Sequence, residues 1–188
     1  MNHNLLNLFN SINPISKELE QRLSKTLQVK TFPKKYFLLK EGQVSNYIYF
    51  IEKGFLRSYY INNSKEITGW FMKENDIIIS VNSFYKREPS YEWIQTIEES
   101  TLHYIHYDEL QKIYKDFIEF NIAGRVLTEI YYVLSEERLY GMRSHTAEER
   151  FKFLLEKHPE IIQRAPVGYI ASYLGISLET LSRLRGRK

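Results

Sequence analysis

The sequence contains no cysteine, which removes disulfides, thiolate metal sites, iron–sulfur clusters and cysteine nucleophiles together. No apolar run approaches the roughly 18 residues that a membrane span needs. The first residues, MNHNLLNLFNSINPIS, carry neither a basic leader nor a sustained apolar stretch, so no secretory signal is expected. Also missing are a GxSxG elbow, a phosphate-binding P-loop, an HExxH pair and any convincing metal-ligand spacing. Glu98-Glu99 and Glu136-Glu137 are adjacent acids that need not converge on one site. The expectation is a cytoplasmic protein with no membrane contact, no cofactor and no enzymatic activity.

Aromatic residues are plentiful. Fifteen Tyr and eleven Phe in 188 residues provide for an aromatic core and argue against disorder. Net charge is only +3, but it is unevenly distributed. From Arg143 to Lys188 there are nine Lys/Arg against five Glu, and the last six residues, RLRGRK, carry four positive charges. A basic end fits a polyanionic partner and equally a solvated tail.

Three textures follow one another. Leu5, Leu8, Phe9 and Ile12, then Leu19, Leu23 and Leu27, have helical spacing, with Pro14 separating two short helices. From Val29 to Ile105 the pattern becomes short β-branched and aromatic strands, such as YIYFIEKGFLRSYYI, with turns at Asn62-Asn63 and Glu74-Asn75-Asp76. Strands at such close intervals predict an antiparallel roll. From Asp108 to Arg143 no proline intervenes, and one long helix is expected. It carries two apolar lines: Leu110, Ile113, Phe117, Phe120, Leu127, Tyr131 and Leu134, with Gly124 at the matching position between them, and Tyr114, Ile118, Ile122, Val126, Ile130 and Val133. A helix apolar on two sides is covered on two sides. One side is expected to meet the roll and the other a second copy, with the Phe117-to-Leu134 line assigned to the two-fold interface. Burial of both lines within one monomer is the alternative.

Beyond Ser144, Thr146 and Glu149 form a capping-box pattern. The stretch PVGYIASYLGISLETLSRLRGRK reads position by position as two helices and a tight turn. Ile170, Ala171 and Leu174 pack, Gly175 supplies a left-handed turn, Ile176 plugs the gap, and Ser177 caps a second helix in which Leu181 and Leu184 face inward. Leu178, Glu179, Ser182, Arg183 and Arg185 remain on or near the outer face, with Thr180 beside them. Arg can donate two hydrogen bonds to a guanine edge, and Glu can accept from cytosine. Ser177, Leu178, Glu179, Thr180, Ser182, Arg183 and Arg185 are therefore the candidate contacts to double-stranded DNA. A purely structural helical hairpin is the plainer reading.

The chain resembles the Crp/Fnr superfamily, the relatives of the cyclic-AMP receptor protein. KEGQVSNYIYFIEKGFLRSYY is similar to that family's first strands, the long helix to its dimer helix, and ISLETLSR to its recognition helix, with Leu178 standing where Arg is common. The resemblance implies an α+β protein: an N-terminal antiparallel β-roll of the cyclic-nucleotide-binding-like jelly-roll type (1–107), a long dimerisation helix (108–143) and a C-terminal helix-turn-helix domain (144–188). It implies a homodimer acting on DNA, with RNA polymerase as a further candidate partner. Members that bind cyclic nucleotides do so with a cassette of a Gly-Glu pair and an Arg followed by a small hydroxyl residue, in which Arg pairs the phosphate, Glu holds the ribose hydroxyl and backbone N–H groups cradle the anion. An ungapped match places Ile79-Ser80 and Ser90-Tyr91 at those positions, so both charged anchors are lost, and Lys86 and Arg87 fall out of register. The effector is then a different small molecule or none. Phe71, Ser80, Phe84, Ser90, Tyr91 and Trp93 are the candidate pocket residues. His103 and His106, the only histidines near the roll's end, read as structural rather than as haem ligands.

Overall fold

The computed structural model describes residues 3–186. Arg187 and Lys188, half of the basic end noted above, lie outside the described residues. The chain opens with α1 (His3–Ile12) and α2 (Lys17–Thr26), separated at Pro14; Ser16 caps α2 by accepting the Leu19 N–H. Eight strands follow: β1 (Gln28–Phe32), β2 (Phe37–Leu39), β3 (Tyr47–Lys53), β4 (Leu56–Asn62), β5 (Lys65–Met72), β6 (Ile77–Ile78), and, after the short helix α3 (Val81–Lys86), β7 (Trp93–Thr96) and β8 (Ser100–His106). They form two antiparallel four-stranded sheets, ordered β1-β8-β3-β6 and β2-β7-β4-β5. The β4–β5 hairpin turns at Asn63 and Ser64, both at positive φ, one residue later than Asn62-Asn63, because Asn62 still pairs with Lys65. Gly54 sits at φ 124° where any Cβ would meet the Ser100 side chain at 2.2 Å, so the tight β3–β4 turn needs glycine. Phe32, Leu39, Tyr49, Ile51, Leu56, Met72, Ile78, Ile94 and Leu102 are all buried together and fill the roll.

The helix expected over Asp108–Arg143 is two helices, α4 (Tyr107–Asp116) and α5 (Ile118–Ser144). The break is at Phe117, whose backbone is extended (φ −129°, ψ 92°) while its ring packs into the cluster made by α1, α2 and α4. Asn121 takes up freed carbonyls, donating to those of Tyr114 and Ile118. Tyr114 folds back over Gly124, where a Cβ would come within 2.5 Å of its hydroxyl. That contact explains why glycine stands in the apolar line.

The assignment of the two apolar lines on α5 is corrected. Phe120 is buried, Phe117 and Leu127 pack on the N-terminal helical cluster, and Tyr131 accepts the Ile77 N–H at 2.7 Å. From Phe117 to Tyr131 that line therefore faces its own fold, while Leu134 at its end is 37% exposed. The exposed line is the other one, with Ile118 79%, Ile122 40%, Ile130 47% and Val133 53% exposed.

Four helices close the chain: α6 (Ala147–Lys157), α7 (Pro159–Arg164), α8 (Val167–Leu174) and α9 (Leu178–Arg185). The capping box forms at the head of α6, between Thr146 and Glu149. Phe151, Leu154, Ile161, Ile170, Ala171, Leu174, Leu181 and Leu184 are buried in one cluster that also takes in Phe55, Phe71 and Ile97 from the roll. Among the described residues no helix is long and apolar enough to cross a membrane.

Candidate nucleic-acid interface and sensor positions

Helix α8 ends at Gly175 in the left-handed conformation (φ 65°, ψ 38°), and the Ile176 N–H returns to the Ala171 carbonyl at 3.0 Å. This closes the helix end with glycine as the residue past the last turn. Ile176 is half-buried against the C-terminal cluster, and Ser177 Oγ accepts the Thr180 N–H at 3.1 Å, starting α9. Leu181 and Leu184 point inward. Ser177, Leu178, Glu179, Ser182 and Arg183 are exposed, while Thr180 and Arg185 are half-buried. The Ser177 hydroxyl holds the Glu179 carboxyl below its usual range, so α9 presents an acid and a base on one open face.

The α6–α9 unit is docked on its own roll. Helix α8 lies on β5: Ser172 Oγ donates to the Glu66 carbonyl at 2.9 Å and accepts the Thr68 N–H at 2.8 Å. Arg164 forks onto Glu74 at 2.8 and 2.9 Å and reaches Glu98. Arg57 of β4, fully buried, lies between the rings of Tyr59 and Tyr169. No sequence signal pairs Ser172 with Glu66, Arg164 with Glu74 or Arg57 with Tyr169, because each of these contacts joins segments far apart in the chain.

The six sensor positions do not form one pocket. Ser80, at the head of α3, and Ser90 are buried and their hydroxyls lie 2.9 Å apart. Phe84 is buried against Tyr107 in the N-terminal cluster. Phe71 faces away from both, stacked on Phe55 and packed against Tyr173 of α8. Trp93 stacks on Tyr59, and Tyr91 is 58% exposed. Of the six only Phe71 and Trp93 lie in strands, so strand alternation does not bring the set together on one face of the roll.

Sequence reasoning missed Glu92. Its carboxylate accepts from Ser80 Oγ at 2.8 Å, and burial pushes its pKa up against the opposing hydroxyl contacts. A half-buried acid thus stands beside Ser80 and Ser90, the residues that the family resemblance sets at the cassette positions. Arg87 is not a solvated loop charge. At the end of α3 it adopts φ 60°, donates to the carbonyls of Ser45 and Phe84 and to Asn46 Oδ1, and stacks on Tyr107. Lys86 is exposed. His103 is buried and paired to Glu52 at 2.8 Å, a structural role.

With this geometry in view, comparison with known proteins gives a consistent answer. Residues 29–117 match the Cyclic nucleotide-binding domain family. No curated protein matches the sequence. Among solved structures, a protein of Eubacterium rectale assigned to the Crp/Fnr family of transcriptional regulators superposes with a TM-score of 0.73 at 18% identity, over 95% of this chain and 85% of that one. FixK2 from Bradyrhizobium japonicum gives 0.71 at 20% identity, over 86% and 83%. The c-di-GMP responsive global regulator CLP of Xanthomonas campestris gives 0.68 at 16%, over 92% and 91%. At these identities the likeness is one of fold. The structural neighbours are Crp/Fnr family transcription regulators, as the sequence resemblance implied.

Proposed function

We propose that this chain, with a cyclic nucleotide-binding domain match over residues 29–117 and a Crp/Fnr regulator fold, is a dimeric, sequence-specific DNA-binding transcription regulator not controlled by cyclic AMP. The observation that supports the reading is the α8–Gly175–α9 hairpin, two helices joined by a tight turn, which we read as a helix-turn-helix and whose second helix leaves Glu179, Ser182 and Arg183 open to solvent. An Arg and a Glu on one exposed helix face match the donor and acceptor edges of the major groove. Leu178, 52% exposed, fits a thymine methyl in place of the Arg contact common in the family. The exposed α5 line through Ile118, Ile122, Ile130 and Val133 is the two-fold seam, and two copies would place their α9 helices on a palindromic target. RNA polymerase is a candidate partner of the DNA-bound dimer, and the cytoplasm is where such a regulator meets its target.

The same exposed Leu178 favours one alternative, a sensor module whose C-terminal helices contact a protein. Selection of bound duplexes from a random pool, followed by titration at several salt concentrations, separates the two. A DNA reader enriches a palindrome and loses affinity steeply with salt as phosphate-bound counterions are released. A protein-contact module enriches no sequence.

A further inference from the structure

We propose that the cleft between β5, the C-terminal half of α5 and helices α6–α8 binds a small apolar or aromatic molecule carrying one anionic group. The cleft has a volume of about 650 Å³ and is lined by Trp70 and Phe71 from the roll, Leu134 from α5, Phe153 from α6 and Tyr173 from α8. Its size is within the range of small-molecule sites, and it lies where two units of the fold meet, a common place for them. It is separate from the Ser80–Ser90–Glu92 position inside the roll.

The charge of the ligand follows from two arginines. Arg138 and Arg150 both line the cleft. Arg138 donates to the Tyr173 carbonyl at 3.0 Å and lies 3.7 Å from that ring's centroid. Arg150 donates to the carbonyls of Leu174 at 3.0 Å and His145 at 2.6 Å. Neutral carbonyls hold both, and among the described residues the arginine ion pairs are those of Arg22, Arg57, Arg125 and Arg164. Burial lowers the pKa of Arg138, the mark of a cation that lacks a full counter-charge. The acids in the lining do not supply one. Asp76 and Glu160 are grouped with Lys73 and His158, the Asp76 carboxylate accepting the Lys73 backbone N–H and Glu160 lying 4.0 Å from Lys73 Nζ and 3.6 Å from His158 Nδ1, and Glu137 is exposed. A carboxylate or similar anion would give the two half-buried guanidinia a counter-charge, reached through the N–H groups they do not spend on carbonyls. The Tyr173 and Phe71 rings, 5.1 Å apart, offer the adjoining apolar surface.

A molecule bound there would touch the roll, α5 and α8 at once. An influence on DNA affinity rests on the regulator reading, whereas the binding site does not. The test is calorimetry on the full chain without DNA, using 2-naphthoate, the uncharged 2-naphthalenemethanol and inorganic phosphate. The expected result is one naphthoate per chain, bound at least tenfold more tightly than the alcohol, with phosphate weaker still. Arg150→Gln should weaken naphthoate at least tenfold. Phe153→Glu, at a position 47% exposed and so tolerant of change, should do the same with unaltered thermal unfolding. No naphthoate binding at millimolar concentration, equal binding of the alcohol, or wild-type affinity in both variants would overturn the assignment. With no DNA in the cell, none of these outcomes bears on whether the chain reads DNA.

Discussion

The guanidinium of Arg57 lies 3.4 Å from the ring centroid of Tyr169, a contact between the roll and α8. On its other side the Tyr59 ring centroid is 4.0 Å away. Arg57 is 1% exposed, and only its Nη2 finds acceptors, Glu66 and Gln95. Nε and Nη1 have no hydrogen-bond partner among the described residues, so the two rings stand where acceptors would. Cation–π contact is worth more when desolvated, about 2 kcal/mol. Tyr169→Leu should therefore destabilise the chain by about 1–3 kcal/mol, while Tyr169→Phe retains most of the stability. Urea unfolding with the three proteins decides this; equal losses for Leu and Phe would deny the ring its role.

The Glu74–Arg164 fork makes a second tie between the roll and the C-terminal helices, and it is sensitive to acid. Hydrogen bonds from Arg164 pull the Glu74 carboxyl down to about 2 from an ordinary value of 4.5. A depressed folded-state pKa contributes stability above the ordinary value, and that stability is lost as pH falls from about 4.5 towards 2. Glu74 is about a third exposed, so solvent screening leaves roughly 1 kcal/mol. Glu74→Gln should lower the midpoint of unfolding at pH 7 and make it less dependent on pH below 4.5. An unchanged acid limb in the variant would count against the fork.

Local chemistry was legible in the sequence and long-range pairing was not. Pro14, Gly175, Ser177 and the Thr146–Glu149 box act within a turn or two of themselves, and each sits where its spacing predicts. The antiparallel roll was also legible, because strand alternation and turn residues repeat along the chain. Phe117 broke the expectation of one helix because tertiary packing of its ring outweighed a helical pattern without proline. The two apolar lines of α5 are equally apolar, so only the roll's position shows which of them it covers. Glu92 looked like one more loop acid, and only the return of the chain past α3 sets it against Ser80.

If the exposed line on α5 is the seam proposed above, it sets where a charge would keep two copies apart. Val133 and Ile130 are 53% and 47% exposed and separated from the roll by the covered line. Val133→Glu should give a folded monomer in sedimentation, with DNA binding reduced by the loss of the second half-site. Leu127→Glu instead places its charge in the N-terminal helical cluster and should cost stability first. A wild-type monomer at micromolar concentration would remove the seam from this face.

Arg183 is exposed on α9 two turns from the Ser177 cap, with its guanidinium free for a base edge. Arg183→Ala should weaken specific binding by about 1–3 kcal/mol and relax the preference at one base pair in each half-site. Fluorescence titration against the selected duplex and its single-base variants checks both effects. A uniform loss across sequences would make Arg183 a phosphate contact.

An acid stands beside the two serines that the family resemblance sets at the cyclic-nucleotide cassette. Ser80 Oγ lies 2.9 Å from Ser90 Oγ and 2.8 Å from the Glu92 carboxylate, which burial makes reluctant to ionise. Arg87 is committed to Ser45, Phe84 and Tyr107. A phosphodiester entering this position would be desolvated beside a carboxyl, without a free cation, and an uncompensated buried anion is costly. Neither cyclic AMP nor cyclic GMP should bind at micromolar concentration, by calorimetry, or change DNA affinity. The raised pKa also has a signed consequence. The folded chain carries the cost of the buried Glu92 charge above the raised pKa and is relieved of it as pH falls below the ordinary 4.5. Glu92→Gln should raise the unfolding temperature at pH 8 and leave it unchanged at pH 4, as calorimetric unfolding of both proteins would show. Micromolar nucleotide binding that disappears in Arg87→Ala would show instead that this arginine leaves its carbonyls for the phosphate.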